Sequence, residues 1–175
     1  MNIIKIAHTL WESHLKSLKK DLFCLVDATC GNGHDALFLS AFTGRLYCID
    51  IQEKAIENTK KILKDKGVSY HQTSHEDLCF IKEPIDLIVY NLGYLPGSDK
   101  KIITTEESTI LSLQSAIKKL SPKGMISIMI YTGHEGGKKE KDCIIKFLKT
   151  LPPSYSVQHI TSPLKKNCPE ILLIS

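Results

Sequence analysis

The chain has 175 residues, with 23 Lys and Arg against 19 Asp and Glu for a formal net charge of +4, and 42% of it is hydrophobic. That length suits a single domain with a core that needs no disulfides, and the composition excludes a disordered, collagen-like or coiled-coil chain. The longest apolar runs, Leu22 to Val26 and Ile85 to Tyr90, are too short to cross a bilayer, and the first six residues lack the apolar core of a secretory signal. A cytoplasmic protein without a membrane partner is expected. The six cysteines (Cys24, Cys30, Cys48, Cys79, Cys143 and Cys168) form no CxxC pair and match no zinc spacing, so no metal is expected and they read as reduced thiols.

Strands and helices alternate along the chain. Residues 1–20 read as an N-terminal helical segment packing on the domain. Trp11 reads as a core or lid residue, and His8 and His14 match no metal spacing. Leu22 to Thr29 predicts a strand ending in a glycine-rich turn, followed by a helix from His34 to Phe42. Arg45 to Ile51 predicts a second strand. Glu53 to Lys66 predicts a helix with Ala55, Ile56, Thr59, Ile62 and Leu63 at helical spacing, closed by Gly67 as its C-terminal cap. Val68 to Thr73 follows as a short third strand. Ile85 to Asn91 is a near-continuous apolar run, as expected of a central parallel strand. Thr105 begins a helix whose capping box lacks the customary Glu, and Pro122 and Gly124 read as its end. Met125 to Tyr131 predicts a fifth strand and Gly137 to Leu151 a helix. Ser156 to Thr161 and Glu170 to Ile174 predict a final antiparallel pair. The pattern implies an α/β fold with a right-handed, doubly wound and mostly parallel sheet. Ligands are then expected beyond the carboxyl ends of its strands.

Two strand ends carry chemistry. At the first, Asp27-Ala28-Thr29-Cys30-Gly31-Asn32-Gly33-His34-Asp35 ends a strand and opens a helix. Gly31 and Gly33 let backbone approach a ligand that a side chain would block, and the helix start offers free N–H groups. Asp50, at the end of the second strand, suits a ribose hydroxyl pair, and Gln52 can add a second contact. Gly31-x-Gly33-x-x-Ala36 fits a dinucleotide, as in an NAD-binding oxidoreductase, and equally S-adenosylmethionine. The carboxylate of Asp27 at the loop would repel a pyrophosphate and suits a cationic cofactor, and no residues remain for a dehydrogenase's second domain. At the fourth strand end, Asn91-Leu92-Gly93-Tyr94-Leu95-Pro96 lies where amino-group methyltransferases keep an Asn/Asp-Pro-Pro-aromatic motif. The Asn91 amide oxygen can accept from a substrate amine and turn its lone pair toward a methyl donor.

The chain resembles the small S-adenosylmethionine-dependent methyltransferases known as rRNA methylases, a family that includes the tRNA 5-aminomethyl-(2-thio)uridine wobble methyltransferases. The resemblance rests on VDATCGNGHDALFL (Val26 to Leu39), IDIQEKAIENT (Ile49 to Thr59), SHEDL (Ser74 to Leu78), NLGYLPGSDKKIITTEEST (Asn91 to Thr109) and YTGHEGGKKEKD (Tyr131 to Asp142). It implies a Rossmann-like class I methyltransferase fold with a C-terminal antiparallel strand. By the same resemblance Gly31, Asn32, Gly33 and His34 would line the methionine end of the cofactor. Ser74 and His75 would sit by the adenine, Gly93 and Tyr94 would flank the transferring methyl group with Asn91, and Tyr131, His134 and Glu135 would border the substrate. The expected substrate is a tRNA anticodon stem-loop, with an rRNA, a protein or a small-molecule amine as alternatives. The lysine pairs Lys100-Lys101 and Lys138-Lys139 follow strand ends on the same side and can meet its phosphates. The resemblance also allows a homodimer.

Overall fold

A computed structural model of the chain describes residues 2–42, 44–64, 67–93, 104–133, 136–162 and 168–175. In chain order the elements are α1 (Ile3–Ser17), β1 (Phe23–Asp27), α2 (His34–Leu39), β2 (Gly44–Asp50), α3 (Glu53–Leu63), β3 (Val68–Gln72), β4 (Ile85–Asn91), α4 (Glu106–Lys119), β5 (Leu120–Ile130), α5 (Gly137–Leu148), β6 (Val157–Ile160) and β7 (Glu170–Ile174). The sheet order is β3-β2-β1-β4-β5-β7-β6. Strands β1 to β5 pair in parallel. β7 runs antiparallel to both β5 and β6. This differs from the dinucleotide-binding order 3-2-1-4-5-6, in which no reversed strand is wedged near the end of the sheet.

The continuous apolar runs of the central strands are explained by the two cores they serve. On one face Val26, Ile88, Tyr90, Ile126 and Ile128 pack with Leu113 and Ala116 of α4 and Ile144 and Leu148 of α5. On the other, Leu25, Leu87, Val89, Met125 and Met129 pack with Trp11 and Leu15 of α1, Ala36 and Leu39 of α2, and Ile56 and Leu63 of α3. Each residue buried this way contributes about 1.5–3 kcal/mol of transfer free energy when it is a large aliphatic or aromatic. The predicted N-terminal helix is therefore a full partner in the second core, with Ala7, Trp11 and Leu15 buried.

Three local expectations are corrected. The helix α3 stops at Lys64, which itself takes the left-handed conformation (φ 49°), so the chain has already turned before Gly67. The box at the start of α4 is complete: the Ser108 hydroxyl accepts from the Thr105 N–H at 3.2 Å and stands in for the missing Glu. Pro122 and Gly124 do not end that helix but lie inside β5, which pairs from Leu120 with Ile85 through a register shift. The close approach explains the glycine, since a Cβ at position 124 would stand 2.5 Å from the Ile85 carbonyl oxygen.

Candidate active site

The carboxyl ends of β1, β2 and β4 open onto one cavity of about 530 Å³, a size usual for a cofactor or small-molecule site. One end is built by the turn after β1. The Cys30 N–H donates to the Ile49 carbonyl at 2.9 Å, which ties the turn to β2. Gly31 and Gly33 both take positive φ, 51° and 80°. Gly33 is buried against α3, and a Cβ there would stand 2.9 Å from the Thr59 Cα. The same helix holds the turn through two side chains: Thr59 Oγ1 donates to the Gly31 carbonyl at 3.3 Å, and Asn58 Nδ2 donates to Asn32 Oδ1 at 3.0 Å. Asp50 closes this end, accepting from the Gly31 N–H at 3.0 Å and the Gln52 N–H at 2.9 Å. Its carboxylate is pushed above the usual range by burial, which those hydrogen bonds partly offset.

Asn91 forms the other end. Its backbone N–H donates to Thr29 Oγ1 at 2.7 Å, which links the two strand ends directly. Its side-chain Nδ2 donates to Asp35 Oδ2 at 3.2 Å. Asp35, buried on α2, meets His8 Nε2 of α1 through its other oxygen at 2.8 Å. His8 is stacked on Phe38 with ring centroids 4.1 Å apart. Tyr131, just past β5, donates from its hydroxyl to Met129 Sδ at 3.0 Å. Burial, and next the Asp35 carboxylate, hold that phenol above its usual range. Gly93 and Thr104 are joined by two hydrogen bonds, Gly93 N–H to Thr104 Oγ1 at 3.0 Å and Thr104 N–H to the Gly93 carbonyl at 3.1 Å.

Of the residues singled out in the sequence, Gly31, Asn32, His34, Asp50, Gln52, Ser74, His75, Asn91, Gly93 and Tyr131 all line the cavity. Asp27 lies beneath the turn, 1% exposed, and is not on the cavity wall. One of its oxygens accepts from the Thr29 N–H at 3.3 Å and the other has no partner. Burial, then the nearby Asp35 carboxylate, push its carboxyl well above the usual range. Gly33 serves the turn and its packing on α3 and is likewise absent from the wall. Tyr94, Lys100, Lys101, His134 and Glu135 lie outside the described residues. Lys139 pairs with Glu106 at the start of α4, while Lys138 borders a small second cavity with Thr132, Lys141 and Asp142. Among the described residues no group of His, Cys, Asp and Glu could hold a metal ion, and no helix is long and apolar enough to cross a membrane.

His75 has a distinctive environment. Its backbone carbonyl accepts from Ser112 Oγ at 2.6 Å, its ring stands edge-on to Tyr90, and Nε2 is buried without a hydrogen-bond partner. Burial holds its pKa below the usual imidazole value, and the residue lines the cavity. Sequence reading missed His8, Asp35 and Thr29. Asp35 carries a weak signal, an acid two residues after the second glycine of the turn. His8 carries none, because 27 residues separate it from its partner.

A family model described as "Putative rRNA methylase" matches residues 46–175, about three quarters of the chain. The chain belongs to that rRNA methylase family. The match begins in β2, so α1, β1 and the glycine turn of this family member lie outside it. A relative from Arabidopsis thaliana, a chloroplastic tRNA (mnm(5)s(2)U34)-methyltransferase, is 34% identical over 168 residues, with 86% of this chain and 60% of the relative covered. The chain thus spans about three fifths of the length of that curated relative. Among solved structures, a putative rRNA-methylase from Clostridium thermocellum is 36% identical with a TM-score of 0.84, covering 94% of this chain and 95% of the other. A putative methyltransferase from Streptococcus mutans, solved in complex with SAH, is 29% identical with a TM-score of 0.87, covering 99% and 97%. The fold is therefore that of the methyltransferases, a mostly parallel α/β sheet with a reversed C-terminal strand.

Proposed function

We propose that the chain is an S-adenosylmethionine-dependent N-methyltransferase acting on tRNA. The product would be a 5-methylaminomethyl-(2-thio)uridine formed from the 5-aminomethyl precursor at the wobble position of an anticodon stem-loop. The observation that carries this reading is the single cavity with two chemically different ends. The glycine turn after β1 and Asp50 of β2 contribute to one side of the sheet order, and Asn91 of β4 with Tyr131 after β5 to the other. The described residues fit the cofactor. Asp50 presents an acidic group at the end of β2 for ribose hydroxyls, and the buried, partnerless Nε2 of His75 offers a nitrogen to an adenine. Gly31, Asn32 and His34 would hold the methionine end, Gln52 would assist Asp50, and Ser74 would flank the base.

When bound, the cofactor supplies an electrophilic methyl group on a sulfonium centre. The protein's share is positioning and proton control. Asn91 accepts from the amine N–H and aims the nitrogen lone pair along the line of attack. A free alkyl amine is mostly protonated near pH 7, so partial burial between Asn91 and Tyr131 must favour its neutral form. Gly93 and Tyr94 would border the methyl group, Lys100 and Lys138 would meet phosphates, and His134 and Glu135 would close the substrate side.

The test incubates the purified protein with methyl-labelled cofactor and tRNA from cells lacking this enzyme, followed by digestion to nucleosides and mass spectrometry. Label on a 5-aminomethyl-uridine derivative is the expected result. Label confined to rRNA or protein in parallel incubations would overturn the tRNA reading while keeping the methyltransferase.

A further inference from the structure

An asparagine amide can present either its oxygen or its nitrogen to a ligand, since a half-turn of the side chain exchanges them. Only the oxygen can accept from an amine. Whatever holds the amide therefore decides whether Asn91 can do its work. In this fold the amide nitrogen donates to Asp35 Oδ2 at 3.2 Å. A carboxylate has no proton to give, so it accepts from the NH₂ group and rejects the carbonyl oxygen. With Nδ2 so engaged, Oδ1 is turned away from Asp35, and the Tyr131 phenol, within hydrogen-bond reach of the same amide, is a second group that holds it. Asp35 in turn is held from outside the sheet. His8 Nε2 meets its other oxygen at 2.8 Å, and the ring of His8 is fixed between Phe38, at 4.1 Å, and Trp11, at 5.0 Å. Asp35 is only 7% exposed, Trp11 2%. The brace thus runs from the buried face of α1 through α2 to the end of β4.

We propose that Asp35, braced by His8, is a positioning residue that holds the Asn91 amide with its oxygen toward the acceptor, and so favours an acceptor that carries a hydrogen-bond donor, as a neutral amine does. This rests on the role given to Asn91 above. A hydroxylate or a carbon nucleophile would find an acceptor oxygen and no donor at that point. A neutral amine finds its partner and keeps its lone pair free for the methyl group.

The experiment measures methyl-transfer turnover on tRNA from cells lacking the enzyme, together with the dissociation constant of S-adenosylhomocysteine by calorimetry and the unfolding temperature. The variants are Asn91→Ala, Asp35→Ala, Asp35→Asn, His8→Ala and the double variant Asn91→Ala/Asp35→Ala. Asp35→Ala is expected to lower kcat by about tenfold or more, as for a reactant group freed from its productive geometry, with S-adenosylhomocysteine affinity within about twofold of the parent. The double variant is expected to be no slower than Asn91→Ala alone, because Asp35 acts through Asn91. Asp35→Asn, whose amide oxygen still accepts from Asn91, is expected to recover most of the turnover, and His8→Ala to lose less than Asp35→Ala. Losses that multiply in the double variant, or Asp35→Asn as slow as Asp35→Ala, would overturn the proposal. If Asp35→Ala does not fold, Asp35→Asn and His8→Ala carry the test, and His8→Ala at full turnover then overturns the brace. Impaired Asn91→Ala beside unimpaired Asp35→Ala sinks this inference alone. Unimpaired Asn91→Ala sinks the role of Asn91 and this inference together.

Discussion

Asp50 and Asn91 line one cavity from strands that flank β1 on either side, so their losses should separate cofactor binding from turnover. Asp50→Ala removes a partly buried acid that would hold ribose hydroxyls. Each lost charge-assisted hydrogen bond is worth about 1.5–3 kcal/mol, so affinity for S-adenosylhomocysteine should fall by about 10- to 100-fold. Asn91→Ala should leave that affinity nearly unchanged and lower turnover. Calorimetry beside steady-state rates distinguishes the two, and a collapse of cofactor affinity in Asn91→Ala would remove it from the acceptor end. A second prediction concerns acid. Burial holds the imidazoles of His75, His14 and His71 below their usual range. The unfolded chain then binds protons that the folded chain refuses. Stability is therefore complete above the unfolded value near 6.5 and is lost as pH falls through and below it. Asp27 and Asp50, whose carboxyls are held high in the fold, act in the opposite sense, so the histidine contribution is read as a difference: between about pH 7.5 and 5.5 the unfolding temperature of His75→Gln should fall less, or rise more, than that of the parent, and an identical change would count against His75 as a contributor. Both Asp50 and Asn91 were legible in the sequence because each ends a strand, where an α/β sheet keeps its ligands. His8 and Asp35 were not, because their meeting depends on how α1 lies across the sheet.

The joint between the glycine turn and α3 has little slack. Gly33 combines a φ of 80° with backbone contact to Thr59, so Gly33→Ala meets both strain and overlap. A non-glycine residue forced into such a conformation costs about 1–3 kcal/mol, and pushing α3 away would cost more. Chemical denaturation of Gly33→Ala should give a lower midpoint with an unchanged slope. An unchanged midpoint would mean the turn can relax at no cost. Periodicity made these helices and strands easy to find, but not their ends. Lys64 ends α3 in a left-handed turn that favours glycine or asparagine, and Pro122 and Gly124 sit in a strand that propensity argues against. In each case a tertiary contact overrides the local preference. For β5 it is the irregular pairing with Ile85.

Across the whole molecule, α1 is pinned at both ends. Near the cavity it is held by His8 on Asp35. At the far edge it is held by Asp86, buried at the start of β4. That carboxylate accepts from Lys20 Nζ at 2.7 and 2.8 Å, the Cys24 N–H at 3.0 Å and Ser121 Oγ at 2.8 Å, while its carbonyl meets His14 Nε2 at 3.4 Å. Asp86→Ala should cost about 2 kcal/mol or more, since it leaves a buried N–H and a half-exposed ammonium without their partner. A small effect on thermal unfolding would show that water replaces the carboxylate. The fold class was legible from the alternation of elements and their capping residues, whereas the place of β7 was not. Nothing local tells Glu170–Ile174 to enter the sheet between β5 and β6 rather than at its edge.

That placement bears on how the site is assembled. α1 precedes β4 and β7 in the chain by a long stretch, yet it contacts both. A growing chain can close the glycine turn and set Asp50 beside it once α3 has formed, using neighbours close in sequence. It cannot seat His8 against Asp35 durably until β7 has entered beside β5 and completed the floor on which α1 rests. Pairings of such long sequence separation form late. The glycine-turn end of the cavity should accordingly be complete before the Asn91 end during synthesis, the latter waiting on the last strand of the sheet.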